Sequence, residues 1–160
     1  MKEIPLTQNQ VALVDDEDFE ELNKFKWCAF KRDNTFYAAR ASSRRMGERK
    51  LIFMHRVIIN TPDDMYTDHI DNNGLNNQRN NLRPCTNSQN QANREKHIEG
   101  TSEYKGLYYD KSRRSWQISI TKDGERFQKR RKSEVAAALS YNKMAIELFG
   151  EFANLNTIRA

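Results

Sequence analysis

Cysteine, histidine and long apolar runs are what this chain has least of. Its two cysteines, Cys28 and Cys85, are too few for a disulfide framework and lack the paired spacing of a structural zinc site, so both read as reduced thiols. No run approaches the ~18 consecutive apolar residues of a membrane span, and the opening MKEIPLTQ lacks the basic-then-apolar order of a signal peptide. A soluble, cytoplasmic protein with no membrane partner is the expectation. Hydrophobic residues make up 37% of the chain and mean hydropathy is −0.95, which leaves thin cores and much polar surface. The 160 residues suffice for one ordinary domain or for two or three small ones.

What the chain has in excess is positive charge in one place. The net charge is +5. Thr101 to Lys132 alone holds ten Lys and Arg against four acidic residues, a local surplus that accounts for the whole of it. Such a stretch suits a polyanionic partner such as nucleic acid, bound in a salt-sensitive way. The opposite bias, in Asp15, Asp16, Glu17, Asp18, Glu20 and Glu21, repels phosphate and is expected to face away from it.

Periodicity gives an α+β reading in three parts. Residues 1–50 form a β-rich module: Val11 to Val14 is a short apolar run, the acidic segment a turn of helix, and Trp27–Phe30 with Thr35–Ala39 a strand pair joined at Asp33-Asn34. Ser42 to Lys50, with Arg44, Arg45 and Arg49, is either a basic hairpin tip touching phosphate or a solvated turn. Residues 51–97 begin with a packed strand or short helix around His55, a structural residue or a ligand. Tyr66–Ile70 and Leu82–Cys85 then read as strands about an asparagine-rich loop, and Thr86 with Gln89 as a capping box for a helix from Asn87 to His97.

After a linker at 98–102, residues 103–157 predict three antiparallel strands packed on one helix. The strands are Tyr104–Tyr109, one centred on Trp116, Ile118 and Ile120, and Arg126–Arg131. The helix is Glu134–Phe149, with Val135, Ala138, Leu139, Ala145, Ile146 and Phe149 as its apolar stripe and Gly150 to end it.

The run TDHIDNNGLNNQRNNLRPCTNSQN carries the chemistry. Cleaving a phosphodiester requires an activated water, neutralised phosphate charge and a stabilised leaving oxygen. A neutral imidazole such as His69 can take the proton, and a divalent cation can serve the other two needs. Asp68 and Asn90 are oxygen ligands suited to magnesium, or to manganese, with water and phosphate filling the other positions. Neighbouring strand residues point to opposite faces, so Asp68 and His69 serve one phosphate only where the strand is twisted or broken.

These residues, from Phe53 to Arg94, closely resemble the HNH family of ββα-metal nucleases in its phage and intron-homing branch. The resemblance implies that His69 is the general base, Asp68 a metal ligand, Asn81 the residue that holds the loop and orients the base, and Asn90 the second ligand. The C-terminal segment resembles an Apetala-two/ethylene-response-factor DNA-binding domain in its YKG, Trp116, the alanine-rich helix with Tyr141, and FGEFANLN. That resemblance implies a sheet laid in the major groove, with Lys105, Tyr108, Gln117, Ser119, Thr121, Arg126 and Gln128 outward and Arg113 and Arg114 on the first hairpin. The expected protein is a metal-dependent DNA endonuclease, monomeric or weakly dimeric, for which one site per chain favours nicking. The alternatives are a DNA-binding regulator with a decayed nuclease and a nuclease directed at RNA.

Overall fold

A computed structural model describes residues 1–32, 35–42, 49–96 and 101–158. Both the expected turn at Asp33-Asn34 and the basic tip with Arg44 and Arg45 lie outside them, as do His97 and most of the expected linker. The fold is mixed α and β, with four small sheets among the described residues.

The chain divides into two compact units, Met1–Cys85 and Thr86–Ala160. In the first unit β1 (Lys2–Pro5) pairs antiparallel with β2 (Val11–Val14), and α1 (Asp16–Leu22) follows with three acidic residues in its first turn, the favourable end for negative charge. A second sheet is ordered β3–β4–β5 (Cys28–Arg32, Thr35–Ala41, Leu51–Phe53), so a strand from beyond residue 50 completes the N-terminal module. β5 runs straight into α2 (Met54–Ile58), so the segment around His55 is strand and helix in turn.

The hairpin of β6 (Tyr66–His69) and β7 (Leu82–Cys85) pairs Asp68 with Arg83 and His69 with Leu82. Leu82 is buried in the same apolar core as Ile4, Val14, Trp27 and Met54, which binds this hairpin to the N-terminal strands. That shared core supports the hairpin, since a two-stranded ribbon cannot bury enough surface alone.

The second unit opens with α3 (Asn87–Asn93), whose Thr86 and Gln89 complete the capping box. The helix is shorter than expected because Arg94 is already extended, at φ −56° and ψ 146°. β8 (Leu107–Asp110), β9 (Ser115–Lys122) and β10 (Glu125–Arg131) form an antiparallel sheet with β9 central, packed on α4 (Glu134–Phe149). The buried side of α4 differs from the expected stripe. Ala137, Ala138, Tyr141, Met144, Ala145 and Phe149 face the core, whereas Val135, Leu139 and Ile146 are exposed. Small alanines let the helix lie close on the sheet, and the larger β-branched and leucine side chains are left outside. Gly106, at φ 74°, serves the same packing, because a Cβ there would come within 2.2 Å of the Tyr141 ring.

Candidate active site

β6 ends at His69, where the N–H of Asn72 donates to the His69 carbonyl at 2.9 Å and turns the chain. The break comes from backbone, with Asn72 at φ 61°, a conformation that asparagine tolerates. From there to β7 the loop is organised by one carboxylate. Asp71 accepts from the Asn73 N–H and the Asn81 Nδ2 at Oδ1, both at 2.9 Å, and from the Asn76 Nδ2 at Oδ2, at 2.8 Å. Burial alone raises the Asp71 pKa, but those three donors outweigh it and hold the carboxyl below its ordinary value. Asn81 also accepts from the Asp71 N–H at 3.1 Å and donates to the Asn76 carbonyl at 2.9 Å, tying the loop across its base.

The asparagines that composition alone reads as loop formers are not equivalent. Asn77 is fully buried, and its N–H donates to the Leu13 carbonyl at 2.8 Å while Leu13 donates to Leu75, so β2 carries the loop. The acidic segment has a related task. Asp15 accepts from the Arg79 N–H at 2.8 Å and the Gln78 Nε2 at 3.1 Å, and Asp18 takes both the Nε and the Nη2 of Arg79, at 2.8 and 2.6 Å. Alternating charge sign along the sequence gives no hint of this pairing, which joins residues over sixty positions apart. Gly74 allows the closest approach: a Cβ there would meet the Phe36 carbonyl at 2.4 Å and the Tyr37 ring at 2.8 Å.

That approach brings the β4 aromatic Tyr37 to His69. The His69 ring lies edge-on to His55 at 5.0 Å between centroids and to Tyr37 at 5.7 Å, and His55 is stacked on Phe53 at 5.3 Å. Both histidines are buried. Burial pushes the His69 pKa down to about 4, against the pull of the Asn77 side chain and the Asp71 charge. His55 falls to about 3, through burial first and then the His69 and Arg56 charges. Both imidazoles are neutral at pH 7. His55 thus belongs with His69, which neither periodicity nor spacing foretells.

Asp68 has a different surrounding. It is 3% exposed, and its Oδ2 accepts from the Nε and Nη2 of Arg83, both at 2.9 Å. The cross-strand pairing of Asp68 with Arg83 sets this contact. No three His, Cys, Asp or Glu side chains among the described residues form a metal cage. Magnesium requires fewer protein ligands than that, and a carboxylate and an amide are the hard oxygen donors it prefers. Asn90, the second expected ligand, is in the first turns of α3 and half-buried, in the other compact unit.

The residues expected to read DNA divide into four sets. Tyr108, Thr121, Arg126 and Gln128 are exposed on one face and Ser119 is half-buried there. Arg113 and Arg114 are exposed on the hairpin, with Arg113 bonded to Asp110. Gln117 is only 4% exposed and its Oε1 accepts from the Nη2 of Arg130 at 3.1 Å, so the guanidinium above it is the group presented outward. Arg130 is the residue that strand alternation through Arg126 and Gln128 could have nominated. Lys105 is committed elsewhere. Its Nζ donates to the carbonyls of Ala92 and Arg94 at 2.6 and 2.5 Å, and burial lowers its pKa to about 8.

The chain is 34% identical over 148 residues to an uncharacterized HNH endonuclease of Acanthamoeba polyphaga mimivirus, a match covering 92% of this chain and 75% of that protein. It is 36% identical over 94 residues to Protein 3.8 of Escherichia phage T7, covering 58% of this chain and 76% of that protein. No protein-family model and no solved structure matches the chain.

Proposed function

The chain belongs to the HNH endonuclease family, and from that premise we propose that it is a metal-dependent endonuclease that hydrolyses phosphodiester bonds in double-stranded DNA, one strand at a time. The observation that carries the reading is the buried, neutral His69, fixed at the end of β6 by a loop whose donors and acceptors are bonded to one another. Neutral at pH 7, the His69 imidazole takes the proton of the attacking water. The Asp71 charge and the Asn77 side chain both favour protonated His69, so they stabilise the imidazolium that this step forms. Asn81 fixes Asp71 and thereby the loop.

Asp68 and Asn90 are assigned as the oxygen ligands of the divalent ion, magnesium or manganese, the assignment of Asn90 resting on the family pattern. When bound, such an ion neutralises phosphate charge and stabilises the leaving oxygen. The exposed Tyr108, Arg126, Gln128 and Arg130 hold the duplex, with phosphate contact outweighing base readout, since Gln117 is covered.

A plasmid-nicking assay of the parent beside His69→Ala tests the reading. The parent is expected to convert supercoiled plasmid to open circles with magnesium or manganese, and the variant to lose that activity. Equal activity in the two places the base elsewhere and overturns the role given to His69, and no activity in the parent leaves a DNA-binding regulator in place of the nuclease.

A further inference from the structure

The short helix α3 does not hold itself in place. Seven residues are far below the ~12–15 at which an isolated helix becomes marginally stable in water, and the last carbonyls of any helix lack partners within it. In this chain those carbonyls are bonded from the C-terminal sheet domain. Lys105 donates to Ala92 and Arg94, the Asn154 N–H donates to Ala92 at 3.2 Å, and the Asn154 Nδ2 donates to Asn93 at 2.8 Å. Lys105 is itself held. Asn156 accepts from the Lys105 N–H at 2.6 Å and donates to its carbonyl at 3.2 Å, and Asn142 of α4 exchanges two bonds with the Asn156 backbone, at 2.8 and 2.9 Å. At the other end of α3 the Asp123 N–H donates to Ser88 Oγ at 2.9 Å.

We propose that Lys105 and Asn154 are positioning residues of the nuclease, which clamp the carboxyl end of α3 to the C-terminal sheet domain and so fix the helix that bears Asn90. The proposal rests on the reading of Asn90 as a metal ligand. It gives the FANLN segment and the lysine of YKG a task in the hydrolytic site, where the sequence places them in DNA binding or in packing. Removing residues 101–160 therefore removes the support of α3 as well as a DNA-binding surface.

The test uses the full chain with Lys105→Met, Asn154→Ala, Asn90→Ala and, as a control, Lys122→Met, whose Nζ donates to the Leu148 carbonyl of α4. Two readouts are needed: amide hydrogen exchange in 87–93, and calorimetric binding of Mn2+ without DNA. Lys105→Met and Asn154→Ala are expected to speed exchange in 87–93 while α4 stays protected, and to weaken Mn2+ binding by about 10-fold, the effect usual for a group that orients a ligand. Lys122→Met is expected to do neither. Unchanged exchange in 87–93 in Asn154→Ala, which keeps the lysine, together with unchanged exchange in Lys105→Met, overturns the clamp. Faster exchange with unaltered Mn2+ binding, where Asn90→Ala does weaken binding, overturns the positioning role alone. If Asn90→Ala leaves Mn2+ binding intact, the ligand assignment falls and the proposal with it.

Discussion

The loop from Ile70 to Asn81 and the outer face of the β8–β9–β10 sheet are both rich in polar side chains, yet they use them in opposite ways. In the loop, carboxylate and amides are bonded to one another, and Asn77 and Asn81 are buried. On the sheet, Tyr108, Thr121, Arg126 and Gln128 stand in solvent, Ser119 is half-buried and Gln117 is covered. The difference separates two demands. A group that must accept a proton needs one orientation before substrate arrives, which internal hydrogen bonds provide. A surface that meets a polyanion needs charge and reach, and flexible exposed cations supply both.

Replacing His69 by Ala attacks the loop where its order serves chemistry, and nicking is expected to fall by roughly a thousand-fold, the usual range for loss of a general base. Gel-based plasmid kinetics check it, and a tenfold loss or less would place the base elsewhere. Asn81→Ala is expected to destabilise the first unit by about 3 kcal/mol, because a buried side chain with three loop-spanning bonds leaves its partners unmet. A urea melt followed by Trp27 fluorescence reads that loss; a change of a few tenths would mean that the loop bonds are replaced by water.

The histidine pair extends the comparison to pH. Folded His55 and His69 titrate near 3 and 4, below the ordinary 6.5, so between those values and 6.5 the unfolded chain binds more protons than the folded one. The stability they contribute is complete above pH 6.5 and is lost as pH falls towards 4. From pH 7 to pH 5.5 the pair is expected to cost about 2.5 kcal/mol, from ~1.4 kcal/mol per pH unit below 6.5 for each group. The fall should vanish by half in His55→Gln, and an unaltered pH profile in that variant would contradict its buried neutral state.

Single changes on the sheet are expected to matter least. Arg126→Ala should reduce the salt slope of DNA binding by about 0.9 for one lost phosphate contact and leave stability untouched. Fluorescence anisotropy over a salt series measures it, and a lost preference for one sequence with an unchanged slope would convert that contact from phosphate to base.

Much of the second unit is legible because its patterns are local. The alternation of Trp116, Ile118 and Ile120 with polar residues, the Thr86–Gln89 capping box and the Ser133 cap all act within a few residues, and each element forms where its signal lies. The stripe of α4 is less legible. Hydropathy adds Val135, Leu139 and Ile146 to Ala138, Ala145 and Phe149, whereas packing on the sheet leaves those three exposed and buries Ala137, Tyr141 and Met144. In the first unit, Asp68, His69 and Asn81 can be nominated from one short motif, but the supports of that motif cannot. Leu13, Asp15, Asp18 and Tyr37 reach it from distant strands and a distant helix.

By itself, then, the order of residues determined where most strands and helices begin, which run groups Asp68, His69 and Asn81, and which stretch holds the positive charge. These follow from periodicity, capping and charge, all short-range properties of the chain. Tertiary structure alone decided that the acidic segment grips Arg79, that His55 flanks His69, and that the Lys105 side chain caps α3. Each of those outcomes depends on which buried carbonyl, carboxylate or ring another part of the chain brings within hydrogen-bonding or packing distance, and no local pattern encodes that proximity.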